Sequence, residues 1–290
     1  MLSSVTAGDV VLGCVADNTP KYLSQALRLV QSVRWFGGTL SDAAFIVCVV
    51  EDVAAASRTA LERLGATVRV VQRFHHANPF PNKLRLLELP ELEAFRTTVL
   101  LDCDTIMVQD VAPLLTPGVL QARMAGYPTV TTKTFRKLFA HFQMTLPPED
   151  YRCSVSGDPT LWYCNDGVVV LPSDLRREFF PVWRAYALDL CDDESLLNAV
   201  RNFCTQASLT LAYFKHPIPF VELPLAANCP IPDDRATLRN AVTNCDPAII
   251  HYHHRVDGDG YVMANSNPLA GKRIAAFNDR LRQEAPETRR

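Results

Sequence analysis

Two apolar runs near the start of the chain, VVLGCVA at 10–16 and AFIVCVV at 44–50, are too continuous for strands that leave one face in water. A third strand candidate, ATVRVV, follows at 66–71. Between them lie segments of helical spacing, LSQALRLVQSVRWF at 23–36, ended by Gly37 and Gly38, and VAAASRTALERLG at 53–65, which ends in glycine. This β-α-β-α-β order, with short connections, predicts an α/β fold with a mostly parallel sheet covered by helices on both faces. Ligands of such sheets bind beyond the carboxyl ends of the strands. The next run, TTVLLDCD at 97–104, places Asp102 and Asp104 at that end.

The rest of the chain is less regular. Residues 119–160 show no clear period, strand signal returns at 162–172, 218–224 and 247–254, and helical spacing at 179–188 and 206–214. The polar stretch after 271 reads as a surface helix. With 290 residues, 48% of them hydrophobic, the chain can bury a large core, and no linker divides it convincingly. Its 29 basic and 31 acidic residues are interspersed, so no long-range field favours nucleic acid or an anionic membrane. No apolar stretch approaches the roughly 20 residues of a transmembrane helix, and MLSSVTAGDV lacks a signal-peptide pattern. The expectation is a cytoplasmic protein. Nine scattered cysteines without CxxC pairs read as reduced, buried thiols. Trp35, Trp162 and Trp183 fit either core packing or an acceptor groove.

On an extended strand, Asp102 and Asp104 would share a side, where two carboxylates repel unless a cation lies between them or one is protonated. Oxygen ligands suit Mg²⁺ or Mn²⁺, and the plainer alternative is a pair of solvated turn aspartates. A second cluster, IIHYHH, holds His251, His253 and His254, of which His251 and His253 would share one side of a strand. Imidazole is an acceptable Mn²⁺ ligand.

Together these segments resemble family 8 glycosyltransferases, the glycogenin-like and galactosyltransferase-like enzymes. LLDCDTIMVQDVAPLL resembles their metal-binding segment, and VADNTPKYLSQALRLVQSV their nucleotide-binding segment. NKLRLLEL is similar to the stretch whose basic residue reaches the donor, YCNDGVVVLP to the strand bordering the donor sugar, and TQASLTLAY to the helix beneath the anomeric carbon. The resemblance implies a GT-A fold in one domain over 1–290. Residues 8–118 would form its nucleotide-sugar half, 119–270 its acceptor and donor-sugar half, and 271–290 a tail.

The resemblance also implies roles. Asp102, Asp104 and His251 would hold Mn²⁺ or Mg²⁺, and Asp166 and Gln206 would stand near the anomeric carbon. Val15, Asp17, Asn18, Tyr22, Lys83, Cys103, Asn165 and Gly167 would contact a nucleotide-sugar donor, UDP-linked. This sequence departs from the family at three places. Asp166 stands where a small residue is usual, Thr205 replaces the usual acid before Gln206, and HHRVDGDGYV replaces a glycine followed by Lys-Pro-Trp. His254 or Arg255 is the substitute for that lysine.

The implied activity is metal-dependent transfer of a sugar to a hydroxyl-bearing acceptor, with retention of anomeric configuration. A non-catalytic sugar-nucleotide binding protein and a metal-dependent phosphohydrolase are the alternatives. Homo-oligomerisation stays open.

Overall fold

The protein is described here from a computed structural model, covering residues 5–231, 240–264 and 266–284. The first five elements follow the expected order as β1 (Val10–Asp17), α1 (Pro20–Phe36), β2 (Ala44–Val50), α2 (Ala55–Arg63) and β3 (Ala66–Val71). Helix α1 starts before its apolar period because Thr19 caps it. The Thr19 hydroxyl accepts from the Tyr22 N–H at 3.5 Å, and Pro20 occupies the first turn, where it costs no helical hydrogen bond.

A 3₁₀ stretch, Phe80–Glu88, leads to β4 (Thr97–Leu101). That strand stops before the two aspartates. Both the N–H and the hydroxyl of Thr105 donate to the Asp102 carbonyl, at 3.1 and 2.8 Å, and close a turn over 102–105 that opens into β5 (Thr105–Met107). Turn geometry, and not strand alternation, therefore sets where Asp102 and Asp104 point.

The segment without a readable period contains β6 (Leu120–Met124), α3 (Thr132–His141), β7 (Tyr151–Arg152) and β8 (Pro159–Thr160). Strand β6 is buried throughout although it carries Gln121 and Arg123. Gln121 Oε1 accepts from the Thr116 N–H at 2.6 Å, and the Arg123 guanidinium donates to the Ser154 hydroxyl. Buried polar groups survive where partners satisfy them, and the Arg123 partner lies well outside a periodicity window. The remaining elements are β9 (Cys164–Pro172), α4 (Ser173–Asp192), α5 (Glu194–Val200), α6 (Cys204–Lys215), β10 (Phe220–Glu222), β11 (Cys229–Pro230), α7 (Asn240–Thr243), β12 (Ile249–His251) and α8 (Pro268–Glu284).

Seven strands form one sheet in the order β10-β6-β9-β4-β1-β2-β3, so both halves of the sequence share it. All neighbours run parallel except β9, which is antiparallel to β4 and to β6. Helix α1 covers one face, with Leu29, Val30 and Val33 packed among Leu12 and Val47. The other face is covered by Leu84 and Leu86 of the 3₁₀ stretch together with α4 and α6, which supply Trp183 and Leu211. A smaller sheet, β11-β12-β5, sets His251 directly opposite Thr105. Helix α8 is more than a surface helix. Its Ala270, Ile274 and Phe277 are buried against Ile106, Ile250 and Tyr252, and the Phe277 ring lies 5.8 Å from that of Trp35.

Trp162 and Trp183 are fully buried, so packing accounts for them. All nine cysteines are free and eight are buried, as small hydrophobes would be. Among the described residues no helix is long and apolar enough to cross a membrane.

Gly13 marks the tightest approach between β1 and its cover. A Cβ there would sit 2.7 Å from Leu86 Cδ1 and 2.9 Å from the Ile46 carbonyl oxygen, which is backbone and cannot swing away. Overpacking of this kind costs about 1–3 kcal/mol. Gly13→Ala should therefore lower the melting temperature by roughly 2–10 °C, given a few degrees per kcal/mol for a chain of this size. Calorimetry of the two proteins measures it, and equal melting temperatures would mean that Leu86 does not press on β1.

Candidate active site

A cavity of about 340 Å³ opens at the carboxyl ends of β1 and β4. Its walls come from segments far apart in sequence, each placed by a specific contact. Asp17 ends β1, and its Oδ1 accepts from Asn82 Nδ2 at 2.9 Å, which ties the strand to the 3₁₀ stretch. Asn82 Oδ1 in turn accepts from the Phe74 N–H at 2.8 Å. This positions the next residue, Lys83, whose ammonium reaches across the cavity.

Lys83 pairs with Asp102 Oδ1 and with Asp166 Oδ1, the latter at 3.2 Å, and donates to the Asp166 carbonyl at 3.1 Å. Asp166 is 3% exposed, and its second oxygen, Oδ2, is buried without a partner. A buried carboxylate oxygen left bare is costly and marks a place where a donor group belongs. Asp102 is fixed by its own N–H, which donates to the Gly167 carbonyl at 2.8 Å across the end of the β4–β9 pair.

On the opposite wall, His251 Nε2 lies 3.1 Å from Asp104 Oδ1 and 3.9 Å from Asp102 Oδ2. The Tyr252 N–H donates to the Asp104 carbonyl at 3.1 Å, which locks the histidine segment to the aspartate turn. The His253 ring lies 4.0 Å from that of His251, centroid to centroid.

The electrostatics follow from this crowding. Against four carboxylates, those of Asp17, Asp102, Asp104 and Asp166, the cavity sets the ammonium of Lys83 and the two imidazoles. Burial pushes the Asp102 carboxyl up, and Asp166 and Asp104 push the same way, against the pull of Lys83. Burial alone would raise Asp104 too, but the adjoining His251 holds it below the ordinary carboxylate range. Burial would likewise lower His251, yet Asp104 overrides it and raises the imidazole. The charge on His251 then drives His253 down to about 3. Burial also opposes the charge on Lys83, but Asp102 and Asp166 more than restore it. A site with this excess of negative charge and two adjacent imidazoles has the ligand chemistry for a divalent cation.

Of the residues singled out in the sequence, Val15, Asp17, Tyr22 and Lys83 line the cavity, as do Asp102, Cys103 and Asp104. Asn165, Asp166, Gln206 and His251 complete that group. Four others do not line it. Asn18 is exposed beyond the end of β1. Gly167 lies behind His251, where a Cβ would fall 2.6 Å from the ring. His254 is exposed on the turn after β12, and Arg255 is buried and donates to the Ala264 carbonyl at 3.0 Å. Neither side chain is part of the cavity lining. Turn and packing geometry, invisible to motif spacing, aim both elsewhere.

Asn82, Phe80, Asn202, Thr205 and His253 line the cavity without having been assigned to it. Asn82 and Thr205 adjoin assigned residues, and the HYHH cluster was a direct signal for His253. Phe80 and Asn202 carried none.

The mixed sheet thus carries a carboxylate turn and a histidine segment at the carboxyl ends of its strands. The chain belongs to the Rhodobacterales glycosyltransferase domain family, whose profile matches residues 13–216. No curated protein sequence matches it. Solved structures share its fold at low identity. Galactosyltransferase LgtC, in complex with donor and acceptor sugar analogues, is 15% identical over 96% of this chain and 98% of its own, with a TM-score of 0.56. The bifunctional glycosyltransferase WbbM is 16% identical over 87% of this chain and 47% of its own, at 0.52. Mouse xyloside xylosyltransferase 1 is 16% identical over 85% and 98%, at 0.50.

The contact behind His251 yields a test of the site's geometry. Gly167→Ala should push the ring off Asp104, so that its titration, followed by NMR, falls from the raised value back toward the ordinary imidazole range near 6.5. A titration still raised in the variant would show that Gly167 does not seat the ring.

Proposed function

We propose that this glycosyltransferase acts in the manner of family 8 enzymes, transferring a sugar from a UDP-linked donor to a hydroxyl-bearing acceptor with retention of configuration. The observation that carries the reading is the meeting of Asp17, Lys83, Asp102, Asp104, Asp166 and His251 in one cavity at the carboxyl ends of the strands. The six come from five separate segments of the chain.

In this reading Asp102, Asp104 and His251 hold a divalent cation, Mn²⁺ or Mg²⁺. When bound, the ion supplies positive charge for the diphosphate, on which negative charge grows as the sugar–phosphate bond breaks. Asp17 and Tyr22 bound the nucleoside end of the cavity. Lys83 exchanges one of its carboxylate partners for an oxygen of the donor, keeping its charge satisfied. Asp166 accepts a hydrogen bond from a donor hydroxyl through its bare Oδ2. Gln206, in the first turn of α6, borders the sugar, while the acceptor hydroxyl attacks from the face the diphosphate vacates.

The direct experiment measures consumption of UDP-sugars with Mn²⁺, in the presence and absence of hydroxyl-bearing acceptors such as simple glycosides. Consumption should depend on acceptor and yield a glycoside of the donor's configuration. Equal consumption without acceptor would identify a phosphohydrolase, and tight binding without consumption a sugar-nucleotide binding protein.

Asp166 has its own expected outcome. Loss of a hydrogen bond to a charged group costs about 1.5–3 kcal/mol, so Asp166→Ala should raise KM for the donor roughly 10- to 150-fold with kcat little changed. Steady-state kinetics would place Asp166 in transition-state stabilisation if kcat and kcat/KM fell together, and outside the donor site if neither moved.

A further inference from the structure

We propose that His253 is a further ligand of the bound cation, so that two imidazoles and two carboxylates make a centre favouring Mn²⁺, Co²⁺ or Zn²⁺ over Mg²⁺. The proposal rests on the metal-dependent reading of the cavity and adds to it a residue and a selectivity.

Three observations carry it. First, one ligand atom each from Asp104, His251 and His253 lie within 4.8 Å of one another. Ligands about 2.1 Å from an octahedral ion stand about 3 Å apart when adjacent and about 4.2 Å when opposite, so side chains spaced this way need only small movements to share one ion. Asp102 stands outside that mutual set, and its Oδ2, 3.9 Å from His251 Nε2, remains within reach of the same ion.

Second, His253 has a φ of 54°. A left-handed backbone costs a side-chain-bearing residue energy and persists where the surroundings enforce it. Here the carbonyl of His253 accepts from Gln25 Nε2 at 3.4 Å, which anchors the turn on α1. The turn lays the ring of His253 against that of His251 at the cavity wall, whereas the following His254 lies outside the lining.

Third, the donor set has a chemical preference. Mg²⁺ favours oxygen and keeps its waters, whereas imidazole suits the later first-row ions, with affinity rising from Mn²⁺ through Co²⁺. Four protein ligands leave two positions of an octahedral shell, enough for two oxygens of a diphosphate.

Pulsed EPR on the full-length protein with Mn²⁺ and UDP counts the coordinated nitrogens without any turnover. Two imidazole nitrogens are expected in the wild type and one in His253→Asn, where asparagine tolerates the left-handed turn. Calorimetric titration of the same two proteins should show the Mn²⁺ affinity falling at least about tenfold in the variant, the scale on which even outer-shell changes act, with the Mg²⁺ affinity falling less. A single nitrogen in the wild type, with equal Mn²⁺ affinity in both proteins, would overturn the role of His253 and leave the metal-dependent reading standing. Absence of any saturable Mn²⁺ site, with or without UDP, would overturn both.

Discussion

Lys83 brings an ammonium into a buried cavity and places it between Asp102 and Asp166, the residues beside the facing ends of β4 and β9. Each of these three charges would be costly to bury alone, because the surrounding protein solvates them far less well than water does. Held together, they satisfy most of one another's demands and draw the 3₁₀ stretch, the aspartate turn and β9 to a common point. The pairing is incomplete by one oxygen, Asp166 Oδ2, and by the carboxylate of Asp104, which leans on His251. Both residues line the cavity.

The second constraint is the small sheet. Strand β12 arrives from the far end of the sequence and pairs antiparallel with β5, immediately after the aspartate turn. That register, reinforced by the bond from the Tyr252 N–H to the Asp104 carbonyl, brings histidines to carboxylates nearly 150 positions earlier in the chain. Helix α8 backs the same sheet through Ile274 and Phe277, so the C-terminal helix braces the site although it contributes no residue to the cavity. Gly167 completes the arrangement by leaving room for the His251 ring. Hydrogen bonds and sheet pairing thus fix the backbone on the side of the cavity that holds the charges.

Much of this could be read from the chain. Strands β2 and β3 fall on the apolar runs that announced them; β2 is buried along nearly its whole length, whereas β3, at the edge of the sheet, is half exposed and keeps its apolar run all the same. The convergence of Lys83, Asp102, Asp104, Asp166 and His251 was what the resemblance to family 8 glycosyltransferases implied, because its motifs are short segments that a sequence displays directly. Strand β6 escaped because Gln121 and Arg123 break its apolar run, and their partners, the Thr116 N–H and the Ser154 hydroxyl, come from loops outside the strand. Arg255 looked like a free cation and is a buried side chain bonded to the Ala264 carbonyl. Charge is visible in a sequence, but the direction in which a charge is held is not.

The sequence by itself determined the alternation of strands and helices, the edge of the sheet at which chemistry would gather, and the residue types available there. These are properties of local periodicity and of side-chain chemistry, and they do not depend on distant contacts. The tertiary structure decided the reversed direction of β9, the turn that aims Asp102 and Asp104, the bridging position of Lys83, and the left-handed turn that lays His253 beside His251. Each of these depends on a hydrogen bond, an ion pair or a steric approach between residues that only folding brings together, and no spacing along the chain encodes their geometry.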